Sequence, residues 1–225
     1  MPSSSPPPHA GEAKAGIRRQ RHRLYLVTPR LEDTTAFARD IGATLQAADV
    51  AAVLLRLAET DERTLINRAK AVVAAVQSYD IALLLDGRPD IVGRVGADGA
   101  HLTGIEAFMA ALATLKPDRI AGAGGIRSRH DAMLAGEAGA DYVMFGEPDR
   151  RGVLPPFAAV EERIAWWAEL LELPCIGYAA TADDVRPLAQ AGADFVALGD
   201  WIWTQPEGAT AAVAAAGAAL AEPVP

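Results

Sequence analysis

Ala138-Gly139-Ala140-Asp141-Tyr142-Val143-Met144-Phe145-Gly146 and Ala191-Gly192-Ala193-Asp194-Phe195-Val196-Ala197-Leu198-Gly199 are near copies of one another. Each reads as a helix end, a glycine stop, and a short apolar strand that finishes on glycine. A third Gly-Ala-Asp stands at 96–98 and leads into Gly99-Ala100-His101-Leu102. A helix that ends on Gly needs the left-handed backbone that glycine adopts without strain. A continuous apolar strand without polar alternation is one covered on both faces, as in a parallel sheet. Repetition of this unit along the chain is the mark of a (β/α) barrel.

The rest of the chain supplies the other units. Apolar runs fall at 24–28, 52–56, 81–85, 99–102, 119–123, 141–146, 174–178 and 195–199. Amphipathic segments lie between them at 34–47, 62–77, 89–95, 105–115, 128–137, 157–172 and 182–190, and an Ala-rich stretch at 207–221 closes the series. Thr34, Asp61 and Thr181 are candidate N-caps, and Thr181 with Asp184 has capping-box spacing. Gly96, Gly139 and Gly192 mark helix ends. The fold class is therefore α/β, an eight-stranded parallel TIM (β/α)8 barrel over residues 24–221. An open doubly wound sheet is the rival, but it does not demand eight evenly spaced strands.

Composition narrows the function. The chain has 225 residues, 51% of them hydrophobic, which suits one domain with a full core. The net charge of −8 argues against general nucleic-acid binding. No apolar run approaches the length of a membrane span. The lone Cys175 lies in an apolar run, reads as a buried structural thiol, and fits a cytoplasmic protein. Residues 1–23 hold Ser3 to Ser5, Pro6 to Pro8 and a basic cluster of Lys14, Arg18, Arg19, Arg21 and Arg23; this reads as a solvated, disordered leader.

The order of motifs resembles the thiamine phosphate synthase/TenI family over roughly residues 24–204. Leu24 to Thr28 is similar to that family's first strand. Leu83-Leu84-Leu85-Asp86-Gly87-Arg88-Pro89-Asp90-Ile91-Val92 resembles its third, and Gly96-Ala97-Asp98-Gly99-Ala100-His101-Leu102 is close to its Gly-Ala-Asp-Gly-Val-His-Leu. The resemblance implies transfer of hydroxymethylpyrimidine from its diphosphate to a thiazole phosphate, with release of diphosphate. It implies Mg²⁺ as cofactor, small phosphorylated heterocycles as substrates, and self-association through outer helices.

Carried over residue by residue, the resemblance assigns Arg56 and Arg88 to the diphosphate and Asp86, Asp90 and Glu106 to the metal. Hard carboxylate oxygens suit Mg²⁺. Gly124, Gly125, Gly146, Gly177 and Gly199, all at strand ends, are the candidates for phosphate or ring contact. The local alternatives are that Arg88 pairs with Asp90, that Glu106 is an exposed acid in a helix first turn, and that His101 is a packed, hydrogen-bonded residue. Trp201 and Trp203 read as packing residues.

Several strand ends depart from the family's pattern. Leu54 and Ala58 replace its Gln and Lys around Arg56. Asp86-Gly87 stands for its Asn-Asp. Ile126 stands where it has His, and the loop Gly146-Glu147-Pro148-Asp149-Arg150-Arg151 lacks its threonines. Tyr178 replaces a glycine at the end of the seventh strand, and Asp200 stands at the end of the eighth. A carboxylate there opposes a phosphate. These departures leave two other readings open: a barrel binding a small molecule or protein without turnover, and a tautomerase of the TenI kind, for which Ile126 does not supply the expected His.

Overall fold

The computed structural model describes residues 22–221. The sequence expectation for a leader at 1–23 falls largely outside them; Arg23 itself opens the first strand. Eight strands alternate with eight helices in chain order. They are β1 (Arg23–Val27), α1 (Thr35–Leu45), β2 (Val50–Leu55), α2 (Glu62–Gln77), β3 (Ala82–Asp86), α3 (Val92–Val95), β4 (Gly99–Thr103) and α4 (Ile105–Leu115). They continue with β5 (Ile120–Gly124), α5 (Arg129–Glu137), β6 (Tyr142–Phe145), α6 (Phe157–Leu170), β7 (Cys175–Ala179), α7 (Val185–Gln190), β8 (Phe195–Leu198) and α8 (Ala209–Ala221). Each strand pairs in parallel with its neighbours, and β8 returns to β1, closing the barrel.

Local chemistry explains most boundaries. Asp61 caps α2 by accepting from the Thr64 backbone N–H at 3.0 Å. Thr181 and Asp184 form the capping box that the sequence suggests. Thr34 precedes α1 without a side-chain cap. The segment expected to be one helix at 89–95 is split. Pro89–Ile91 forms a 3-10 turn, α3 adds a single turn, and Gly96 stops it in the left-handed region at φ 78°.

The Gly-Ala-Asp repeat has a function that its spacing alone does not disclose. The Asp98 carboxylate accepts from the Leu83 N–H at 2.7 Å while its own N–H donates to the Leu83 carbonyl at 2.9 Å. Asp141 does the same with Ala121, at 2.7 and 2.9 Å. Asp194 repeats it with Cys175, at 2.8 and 2.9 Å. Each aspartate thus ties the start of its own strand to the start of a neighbour, and satisfies an N–H that the ladder leaves open.

Parity along the strands then sorts the apolar residues. Leu24, Leu26, Val53, Leu55, Leu83 and Leu85 face the helices in one cluster. Tyr25, Val27, Leu54, Leu84, Tyr142 and Tyr178 belong to a second, inside the barrel. The interior is filled by large side chains from some strands meeting small ones on others, as layered barrel packing requires. A Cβ on Gly122 would lie 2.1 Å from the Tyr142 ring, so that glycine makes room for the tyrosine. Cys175 is buried, and burial pushes its thiol up to about 12, which fits the structural reading.

Asp98→Ala leaves the Leu83 N–H without its partner and should cost about 1–3 kcal/mol. Urea denaturation should show this as a lower midpoint with an unchanged slope. A stability equal to the parent would mean that the clamp contributes nothing.

Candidate functional site

The carboxyl ends of the strands form the mouth, where barrels of this kind place their chemistry. Arg56 follows β2. Its backbone N–H donates to the Thr28 hydroxyl at 2.9 Å, and its Nε donates to the Thr28 carbonyl. Its terminal nitrogen pairs with the Asp200 carboxylate after β8, with side-chain exposures of 16% for Arg56 and 62% for Asp200. The ion pair crosses the rim over β1. The carboxylate that the sequence sets against a phosphate at this corner is thus partnered by the arginine that the resemblance assigns to diphosphate.

Below the rim a polar line runs through the barrel. The Tyr25 and Tyr142 hydroxyls are 3.0 Å apart. Tyr142 Oη lies 2.9 Å from His101 Nδ1, and His101 Nε2 lies 2.8 Å from Glu147 Oε1. Glu147 Oε2 accepts from the Gly125 N–H at 2.7 Å. His101 is fully buried, so its packed, hydrogen-bonded reading holds. On β4, His101 is the register partner of Asp86, the last residue of β3.

The charges in this line set one another. Burial disfavours the His101 imidazolium, but the Glu147 charge and hydrogen bond, with Asp86, outweigh it and raise the pKa above its ordinary value. Burial opposes the Glu147 carboxylate, yet the His101 charge and hydrogen bond, with the Gly125 N–H and Arg56, hold it below the usual range. Asp86 is pushed up, first by burial and further by Glu147, against the pull of His101. Both shifts run towards the charged forms of His101 and Glu147, while burial works against the charge of Asp86 beside them.

The other expected site residues are placed as follows. Arg88 grips both oxygens of Asp90, at 3.0 and 2.8 Å, which is the local pairing considered from the sequence. Glu106 is exposed in the first turn of α4. Among the described residues, no three or more His, Cys, Asp and Glu side chains come together to hold a metal ion. Gly124 gives its side-chain space to the protein: a Cβ there would lie 2.1 Å from His101 Nε2 and 2.3 Å from Glu147 Oε2. Gly125 donates to Glu147. A Cβ on Gly146 would meet Val160 and the Tyr178 carbonyl, at 3.1 and 3.2 Å. Gly177 faces the helix layer, where Ile164 and Leu188 would crowd a Cβ. A Cβ on Gly199 would lie 2.3 Å from the Tyr178 hydroxyl. Trp201 and Trp203 donate to the Ala179 and Val27 carbonyls at 3.1 and 2.8 Å, in keeping with packing.

Sequence reasoning did not single out Glu147, Tyr25 or Tyr142 as site residues. The one available signal was an acid directly after an apolar strand, and its partner lies 46 positions away.

A closed parallel barrel with a buried polar line under charged strand ends makes this a (β/α)8 barrel protein with its titratable groups gathered at the carboxyl ends of the strands. The comparisons with known proteins make this specific. Residues 24–202 match the family described as Thiamine monophosphate synthase. The thiamine-phosphate synthase of Rhodospirillum centenum is 40% identical over 195 residues, covering 85% of this chain and 94% of that protein. That of Hyphomonas neptunium is 38% identical over 208 residues, covering 88% and 93%. Thiamine phosphate pyrophosphorylase from Pyrococcus furiosus superimposes with a TM-score of 0.72 at 21% identity, over 90% of this chain and 96% of that one. The chain belongs to the thiamine monophosphate synthase family.

The ionic pair makes stability depend on pH in a defined way. Glu147 has a depressed folded pKa, so its contribution is present above 4.5 and is lost as pH falls through the lower folded value. His101 has a raised one, so its contribution is present below 6.5 and is lost as pH rises through the higher folded value. The pair is therefore fully expressed between the two. Glu147→Gln should lower stability there by about 3 kcal/mol. It should also flatten the alkaline decline, because His101 loses its chief anionic partner. Parallel stability curves for parent and variant on both sides of that window would contradict the ionic assignment.

Proposed function

We propose that this protein couples hydroxymethylpyrimidine diphosphate to thiazole phosphate and releases diphosphate, in thiamine biosynthesis. It is then a transferase. The observation that carries the reading is Arg56. It is a mostly buried guanidinium at the mouth, tied to the Thr28 backbone and facing an anion, on the strand where the family motif has its arginine. A planar guanidinium binds diphosphate oxygens in two-point fashion. The carbon–oxygen bond to diphosphate breaks, its electron pair leaves with diphosphate, and the thiazole nitrogen supplies the pair for the new carbon–nitrogen bond. No side chain need move a proton in that exchange. Positioning and fixed charge account for the rate.

The donor chemistry of the strand ends is compatible with Mg²⁺. This ion commonly takes one or two carboxylates from the protein and the rest of its shell from substrate phosphates and water. Asp86 has its ionised form disfavoured by burial, and a cation restores it; Glu106 offers an exposed oxygen pair at the neighbouring strand end. These two would hold the ion, while both oxygens of Asp90 are engaged by Arg88. When bound, Mg²⁺ would neutralise charge building on the leaving diphosphate. No helix among the described residues is long and apolar enough to cross a membrane. We place the protein in the cytoplasm on its composition and free thiol.

The test is formation of thiamine phosphate from the two substrates with and without Mg²⁺. We expect product only with the metal. Arg56→Ala should lower kcat/KM by about a hundredfold or more at near-parental Tm. No coupled product under any condition would sink the reading. Full activity in Arg56→Ala would remove Arg56 from the site.

A further inference from the structure

The corner between β7 and β8 is where barrels of this architecture commonly seat a phosphate, on backbone N–H groups of the two loops. Here two of those groups are already engaged. The Gly199 N–H donates to the Ala179 carbonyl at 3.1 Å. The Asp200 N–H faces the Tyr178 hydroxyl oxygen. Tyr178 itself is 8% exposed and lies across the corner, its hydroxyl filling the space beside Gly199. The Asp200 carboxylate adds a negative charge, paired with Arg56 and more than half open to the mouth.

The two acceptor chemistries meet this corner differently. A phosphate monoester at neutral pH has acceptor oxygens, and its charge opposes Asp200. It would have to compete for the Gly199 and Asp200 N–H groups, which the protein has satisfied internally. An alcohol both donates and accepts. It can donate to the open carboxylate oxygen of Asp200 and accept from the Tyr178 O–H. That proton is retained, because burial first, and then the Asp200 charge, push the phenol up. Arg56 sharpens the contrast. If its guanidinium turns to the diphosphate, Asp200 loses its counter-charge and the corner becomes more hostile to a second anion.

We infer that Tyr178 and Asp200 set the acceptor specificity, so that the barrel also takes the non-phosphorylated hydroxyethylthiazole and yields thiamine directly. The inference rests on the transfer reaction proposed above for its diphosphate half and its bond-forming step. The chemistry balances. The pyrimidine methylene–oxygen bond breaks, its electron pair leaves with diphosphate, the thiazole nitrogen supplies the pair for the new bond, and the alcohol oxygen takes no part.

The experiment gives the full-length protein hydroxymethylpyrimidine diphosphate and Mg²⁺, with hydroxyethylthiazole or its phosphate ester as acceptor. Thiamine and thiamine phosphate are quantified separately. The expected result is thiamine formed with a kcat/KM at least equal to that for thiamine phosphate. Asp200→Asn, which keeps the shape and removes the charge, should move that ratio towards the phosphate ester by about tenfold. Tyr178→Gly on that background should move it further, with circular dichroism confirming the fold. Thiamine phosphate formed at least about tenfold more efficiently than thiamine would overturn the acceptor assignment and leave the transferase reading standing. So would a ratio unmoved in Asp200→Asn. No coupled product from either acceptor would remove the transferase reading and this one with it.

Discussion

Everything above the lower rim depends on how the strands are held in register there. A parallel barrel closes at one stagger, and a slip of one residue turns every inward side chain outward. In this chain the stagger is clamped by Asp98, Asp141 and Asp194, each bonded through backbone and side chain to the start of a neighbouring strand. Strand alternation puts Leu84 and Asp86 on one side of β3, which the Asp98 clamp holds against β4, and Leu54 and Arg56 on one side of the β2 line. Hence the charged residues that end these strands emerge inside the mouth. The apolar residues between them line the barrel or meet the helices according to parity.

With register fixed, the interior has to accommodate a polar line in a low-dielectric space. It does so with glycines. Gly122 admits the Tyr142 ring and Gly124 admits the His101–Glu147 contact. The line is satisfied at every step, from the Tyr25 hydroxyl to the Gly125 N–H, as a buried network must be to avoid a desolvation penalty. Asp86 is the exception that burial strains, and it stands at the mouth where a cation would relieve it. Stability at the bottom and strain at the top are separated along the same strands.

The barrel was legible in the sequence because its signals are local. Continuous apolar runs, Gly stops and the Thr181–Asp184 spacing each act within a few residues. The bounds of α2 and α4 follow from apolar spacing and flanking residues alone. The Arg88–Asp90 pair was also open to reading, since two positions separate its members. The glycines were legible as positions needing space but not as to what fills it. Gly124 and Gly199 are occupied by His101, Glu147 and Tyr178, and those contacts are made only after the chain closes. Glu147 escaped for the same reason. An acid after a strand has no meaning until the barrel brings His101 to it.

Asp200 shows how a single charge reads differently in one dimension and in three. Along the sequence it is a carboxylate where a phosphate is expected, and repulsion is the whole argument. In the barrel, β8 lies beside β1 and β1 beside β2, so Asp200 and Arg56 become neighbours across the rim. On the proposed reading the aspartate would act on both ends of the reaction. It holds the guanidinium that a diphosphate would take, and it sets the charge of the corner beside the acceptor. Because one residue links the two subsites, the charge of whatever binds at Arg56 bears directly on what the β7–β8 corner can accept. That coupling comes from barrel closure, and no local motif encodes it.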